Sequence, residues 1–126
     1  MTENLIIEGS GKTPTIKLYS ETGSVEISGK SIPENSIGFY QPVYSWIDNY
    51  AAKPSTKTEI KIQLEYFNTS SSKCLLDIFR KFETIKKAGK SDIEVLWHYE
   101  ADDEDMMEAG DDYNSLVDLT FRLIKI

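Results

Sequence analysis

Cysteine and histidine each occur once in this 126-residue chain, as Cys74 and His98. A lone thiol can form no intrachain disulfide, and the pair is too few for a multi-Cys or Cys/His metal site. Long apolar runs are missing too. No stretch approaches the ~20 residues of a membrane-spanning helix. Met1-Thr2-Glu3-Asn4 carries no basic lead-in, and Leu5-Ile6-Ile7 is too short for the core of a signal segment. A reducing, cytoplasmic setting is therefore expected, and the Asn68-Thr69-Ser70 glycosylation sequon is read as coincidence. Basic residues are the minority charge: fourteen Lys and Arg face twenty-one Asp and Glu, for a net charge of −7. That sign argues against sequence-independent nucleic-acid binding and against docking on anionic lipid. No linker, repeat or low-complexity segment divides the chain, so residues 1–126 are expected to form one domain.

What is present is regular periodicity. Thr15-Ile16-Lys17-Leu18-Tyr19 and Ser24-Val25-Glu26-Ile27-Ser28 alternate apolar and polar residues around a Glu21-Thr22-Gly23 turn. From Ser36 to Ala52 the spacing becomes helical, with Ile37, Tyr40, Tyr44, Ile47 and Ala51 on one stripe and Phe39, Val43, Trp46 and Tyr50 beside it. Asn35 or Ser36 can cap this helix, but Pro42 predicts that its regular part starts only near Tyr40. Glu59 to Tyr66 alternates strictly as a strand. Leu75, Ile78, Phe82 and Ile85 mark a second helix that stops at Gly89. Ile93 to Tyr99 reads as a strand, Asp102 to Asp112 as an acidic helix, and Leu119 to Ile126 as a last strand. The order β-β-β-α-β-α-β-α-β predicts an α/β fold with a mostly parallel sheet, made mixed by the opening hairpin.

Three chemical readings fail on spacing. Gly9-Ser10-Gly11-Lys12-Thr13 resembles the end of a phosphate-binding loop, but Ile6 stands where a glycine is needed, and Pro14 and a strand follow. It reads as a turn. Calcium coordination from Asp103 onward fails because Met107 and Glu108 fall where a ligand and a glycine belong. The acidic segment then reads as a solvated helix start, with Met106 and Met107 as adaptable partner contacts. His98 would have to serve any triad, and nothing in the sequence brings it to Cys74 or a serine. No catalytic residue, cofactor or metal is expected.

Asn68-Thr69-Ser70-Ser71-Ser72 remains. It stands where the strand ending near Phe67 hands over to the second helix, at the carboxyl end of a strand. One cap needs one such residue, whereas this run has four hydroxyls after an asparagine. Two readings stand side by side: a helix cap alone, or a functional site. A phosphoryl group here would meet free amides and the positive helix end, with Lys73 one turn on. A small-molecule or anion site at Thr69 to Ser72 is the alternative use of the same geometry.

Ser31-Ile32-Pro33-Glu34-Asn35-Ser36, Phe39-Tyr40-Gln41-Pro42-Val43, Tyr66-Phe67-Asn68-Thr69-Ser70-Ser71-Ser72-Lys73 and Trp97-His98-Tyr99-Glu100-Ala101-Asp102-Asp103-Glu104-Asp105-Met106 together resemble the SiaC family of bacterial regulatory phosphoproteins. The blocks run in order over nearly the whole chain. The resemblance implies a fold similar to STAS domains and SpoIIAA: a single-layer mixed β-sheet flanked by helices. It implies a non-enzymatic partner switch phosphorylated on Thr69 by a SiaB-type kinase and restored by a PP2C-like SiaA-type phosphatase. The unmodified form would bind and activate a SiaD-type diguanylate cyclase, in cyclic-di-GMP and biofilm control. Docking would then use Asn68, Ser70, Ser71 and Lys73, with Asp102, Asp103, Glu104 and Asp105 as a further contact. Because three serines follow Thr69, the choice of acceptor within the run stays open.

Overall fold

Alternation in the strands becomes a sheet with one dry face. The computed structural model describes residues 3–126, so Met1 and Thr2 of the N-terminus lie outside the described residues. Its elements are β1 (Leu5–Ile7), β2 (Thr15–Tyr19), β3 (Ser24–Ser31), α1 (Ser36–Tyr50), β4 (Lys57–Phe67), α2 (Thr69–Lys87), β5 (Asp92–Tyr99), α3 (Glu104–Leu116) and β6 (Thr120–Lys125). The six strands lie in chain order across one sheet. β1, β2 and β3 pair antiparallel, while β3–β4, β4–β5 and β5–β6 are parallel. The mixed sheet and the element order are those the periodicity predicts.

In β4, Thr58, Ile60, Ile62 and Leu64 are buried while Glu59, Gln63 and Glu65 are exposed. In β5, Ile93, Val95 and Trp97 are buried in the same way. The three helices therefore cover one face, and the other carries polar positions such as the paired Lys17, Glu26 and Lys61. The core between sheet and helices joins Ile16, Leu18, Ile27, Ile60 and Val95 to Tyr40, Trp46, Leu75, Phe79 and Phe82. Apolar area removed from water there, at about 25 cal/mol per Å2, drives the assembly.

Two features of α1 correct the sequence reading. The helix begins at Ser36, not near Tyr40, and Pro42 lies inside it. Pro42 is exposed, as is Gly38, whose carbonyl lacks the usual donor four residues on, so water can satisfy it. Burial of Tyr40, Val43, Trp46, Ile47 and Tyr50 outweighs a proline cost of about 3 kcal/mol. Ile37, placed on the apolar stripe, is instead 69% exposed. The buried face of α1 is formed by Tyr40, Val43, Trp46, Ile47 and Tyr50, and Ile37 lies outside it.

An irregularity at the end of β4 prepares the next junction. Gly29 pairs with Leu64, but Lys30 pairs with Tyr66, so Glu65 is an extra residue in its strand. The bulge reverses the alternation. It turns Tyr66 outward, 57% exposed, and packs Phe67 edge-on against Trp97. The Asn68 amide then donates to the Ser31 carbonyl at 3.0 Å, which fixes where β4 ends and α2 begins.

Candidate functional site at the β4–α2 junction

Parallel pairing of β3, β4, β5 and β6 aligns their carboxyl ends, so α1, α2 and α3 all begin at one edge of the sheet. Each start is capped by a side chain. Asn35 Oδ1 accepts from the Gly38 amide, Asn68 Oδ1 from the Ser71 amide at 2.9 Å, and Asp103 Oδ1 from the Met106 amide at 3.0 Å. Gly38 leaves room for the first cap, since a Cβ there would sit 2.6 Å from Asn35 Nδ2. The bland reading of the hydroxyl run is therefore satisfied by Asn68 alone. Its four hydroxyls are surplus to capping.

Three of those four hydroxyls are hydrogen-bonded within the chain, although Ser70, like Thr69, is exposed. The Ser71 hydroxyl is fully buried and donates to the Ser31 carbonyl at 2.9 Å. It accepts from Ser31 Oγ at 2.8 Å, and Ser31 Oγ lies 2.6 Å from the Tyr40 hydroxyl. The Ser70 hydroxyl donates to Asn68 Oδ1 at 3.2 Å and lies 2.6 Å from Ser36 Oγ. Ser72 Oγ is 2.9 Å from the Tyr113 hydroxyl, which itself donates to the Ser72 carbonyl at 2.8 Å. Burial pushes the Tyr40 and Tyr113 phenols up to about 12, against the pull of their serine partners, so both remain donors at neutral pH. Among the described residues, the Thr69 hydroxyl alone of the four takes no hydrogen bond, and Thr69 is exposed as the first residue of α2.

The other residues singled out in the sequence sort by position. Lys73 is exposed one turn along α2 from Thr69. Asn68 is half-buried, with its side chain used as the cap and Nδ2 3.4 Å from the Pro33 carbonyl. Ser71, expected on the docking surface, presents no atom to a partner because it is completely enclosed. Asp102, Glu104 and Asp105 are exposed around the start of α3, one strand over along the same edge, and Asp103 caps that helix. Met106 is buried and Met107 is 38% exposed.

Gly9 to Thr13 is a turn between β1 and β2, closed by the Ser10 amide on the Thr13 carbonyl. Cys74 is buried inside α2, and His98 sits in β5 with Nδ1 3.3 Å from the Leu96 carbonyl. No group of three His, Cys, Asp or Glu able to hold a metal occurs among the described residues. Among the described residues, no helix is long and apolar enough to cross a membrane.

The residues that tie down the run were not singled out for that role. Ser31, Ser36 and Tyr113 reach Ser71, Ser70 and Ser72 across 34 to 41 positions of chain, and Tyr40 backs Ser31. Local spacing carries no signal for such contacts. The only hint was the Pro33-Glu34-Asn35-Ser36 block, whose last residue supplies the hydroxyl beside Ser70.

The crystal structure of apo-SiaC from Pseudomonas aeruginosa superposes with a TM-score of 0.87 at 28% identity, covering 97% of this chain and 98% of that one. The crystal structure of the diguanylate cyclase SiaD in complex with its activator SiaC, also from Pseudomonas aeruginosa, gives a TM-score of 0.90 at 28% identity, with 97% and 99% covered. An uncharacterized protein of Pseudomonas aeruginosa (strain UCBPP-PA14) is 30% identical over 110 residues, 87% of this chain and 86% of its own length. The SiaC family of regulatory phosphoproteins matches residues 7–126. The chain belongs to the SiaC family of regulatory phosphoproteins.

Proposed function

We propose that this chain is a non-enzymatic phospho-switch whose acceptor is Thr69 and whose unmodified form docks on and regulates a partner. The observation that carries the reading is the division within the run: the Ser70, Ser71 and Ser72 hydroxyls are bonded within the chain, and the exposed Thr69 hydroxyl is untied. A kinase can take up its hydroxyl without breaking an internal bond. That exposure also suits a macromolecular approach better than the enclosure a small ligand needs.

The helix start accommodates both states. Among the described residues the Thr69 and Ser70 amides have no acceptor, as expected for the first turn of a helix. A phosphoryl group on Thr69 meets those amides, the positive end of α2 and Lys73. The fold is retained while the local surface gains roughly −1.5 to −2 charges. A partner that desolvates Thr69 in the unmodified form must then strip water from a dianion, which opposes docking.

The likeness to SiaC bound to SiaD supports a diguanylate cyclase as the regulated partner; cyclic-di-GMP and biofilm formation would be the output. A SiaB-type kinase and a PP2C-like SiaA-type phosphatase would set the state of Thr69 in the cytoplasm. Residues 1–126 act as one regulatory domain, and Asn68, Ser70, Lys73 and the acidic Asp102 to Asp105 border the docking surface.

Titration calorimetry against the cyclase partner from the same genome tests this. Wild type and Thr69→Ala should bind alike, while Thr69→Asp and the phosphorylated protein should lose at least about ten-fold in affinity. Equal affinities for all four forms would sink the reading.

A further inference from the structure

We propose that Ser36 and Tyr113 are positioning residues that select Thr69 as the acceptor by holding the neighbouring serine hydroxyls in internal hydrogen bonds. The inference rests on the phospho-switch reading, and it locates the choice of acceptor in this chain rather than in the kinase alone.

The donors and acceptors can be counted atom by atom. Ser70 gives its proton to Asn68 Oδ1, so across the 2.6 Å contact Ser36 Oγ donates to Ser70 Oγ. One proton and one lone pair of the Ser70 oxygen are thereby occupied. The Tyr113 hydroxyl gives its proton to the Ser72 carbonyl, so across 2.9 Å Ser72 Oγ donates to the Tyr113 oxygen. Ser71 gives its proton to the Ser31 carbonyl, receives one from Ser31 Oγ, and is sealed in the core. In Ser71 and Ser72 the proton that a kinase's base must remove already has an internal acceptor, and in Ser70 the Ser36 hydroxyl also occupies a lone pair of the oxygen that would attack the γ-phosphorus and fixes its rotamer. Thr69 has no such tie among the described residues.

Ser36 suits the role because it is itself fixed. It is 3% exposed, stands first in α1 directly after the Asn35 cap, and also lies 3.5 Å from Ser71 Oγ. Tyr113 is 5% exposed and packs against Phe79 at 5.1 Å and Trp97 at 5.5 Å between ring centres. Neither side chain can swing away to release its serine without disturbing the core. The two act from different helices, α1 and α3, on successive sides of α2.

Site-mapped phosphorylation with the SiaB-type kinase from the same genome and ATP decides the matter. Wild type and Ser36→Ala should both carry phosphate on Thr69, the second result showing that the variant folds and is recognised. Thr69→Ala should carry almost none. The double variant Thr69→Ala/Ser36→Ala should acquire phosphate on Ser70 at about ten-fold or more above Thr69→Ala. Thr69→Ala/Tyr113→Phe, which keeps the ring in place, should likewise open Ser72. Phosphate on Ser70 or Ser72 of Thr69→Ala itself would overturn the inference and leave the switch standing. Silence of both double variants, each melting cooperatively, would overturn it too. A wild type that never takes phosphate on Thr69 would instead remove the switch reading beneath it.

Discussion

Asn68 does several jobs with one side chain. Its Oδ1 caps α2 through the Ser71 amide and also accepts from the Ser70 hydroxyl, while its Nδ2 faces the Pro33 carbonyl. Asn68→Ala should therefore cost about 1–2 kcal/mol in urea denaturation, the upper part of the range for a lost cap. Asn68→Asp should keep the cap and recover most of that loss. The buried phenols give a prediction in pH. Tyr40 and Tyr113 titrate near 10 when unfolded and near 12 when folded, because burial disfavours the phenolate. Raised folded values mean that the unfolded state loses its protons first, so this stability is fully present below pH ~10 and is lost as pH rises toward ~12. The urea midpoint should fall across that window, and fall less in Tyr113→Phe. An unchanged slope in that variant would count against the assignment. At this scale the sequence showed where the hydroxyls lie, since a strand must end and a helix begin at Asn68. It did not show which hydroxyl is free, because the partners that tie down the other three come from β3, α1 and α3.

Elements were legible wherever periodicity was long. β4 and α2 were read from strict alternation and from the Leu75, Ile78, Phe82, Ile85 spacing, and tertiary packing uses those same faces. The start of α1 was misread because proline is a strong local signal, and the burial that overrides it is not local. Replacing Pro42 with alanine should restore a donor for the Gly38 carbonyl and raise stability by roughly 1–2 kcal/mol. The gain falls short of the full ~3 kcal/mol because the site is exposed and proline also stiffens the unfolded chain. Thermal denaturation will show the sign. Helix α3 makes the opposite prediction. Gly110 rests on the indole of β5, and a Cβ there would come 2.5 Å from Trp97 Cδ1 and 2.8 Å from Leu123 Cδ2. Alanine favours helices by about 1 kcal/mol over glycine, yet Gly110→Ala should destabilise by ~1–3 kcal/mol through overpacking. The displaced helix should also strain the bond from Trp97 Nε1 to the Met106 carbonyl, now 2.9 Å, with a visible change in tryptophan fluorescence.

For the whole molecule, the net charge of −7 has a place as well as a sign. Asp102, Glu104 and Asp105 lie along the sheet edge that holds Thr69, so under the proposed docking a partner would meet them together with the hydroxyl surface. Neutralising Glu104 and Asp105 to Gln and Asn should slow association with the cyclase several-fold and flatten its dependence on salt, with little change in dissociation. Unchanged association rates would place the acidic segment outside the docking surface. The sheet was anticipated as mixed and mostly parallel, but the confinement of all three helices to one face emerges only once the strands are seen in chain order.

That same chain order has a consequence for how the protein comes to be. Every strand pairs with its immediate predecessor, and the widest pairing, Ser31 with Phe67, spans only 36 residues. No strand must wait for a distant segment before it finds its neighbour. The sheet can be laid down progressively from the N-terminal hairpin while synthesis continues, each new strand adding to an existing edge. The last additions are α3 and β6, so Tyr113, which closes off Ser72, docks after the threonine it leaves free is already in place.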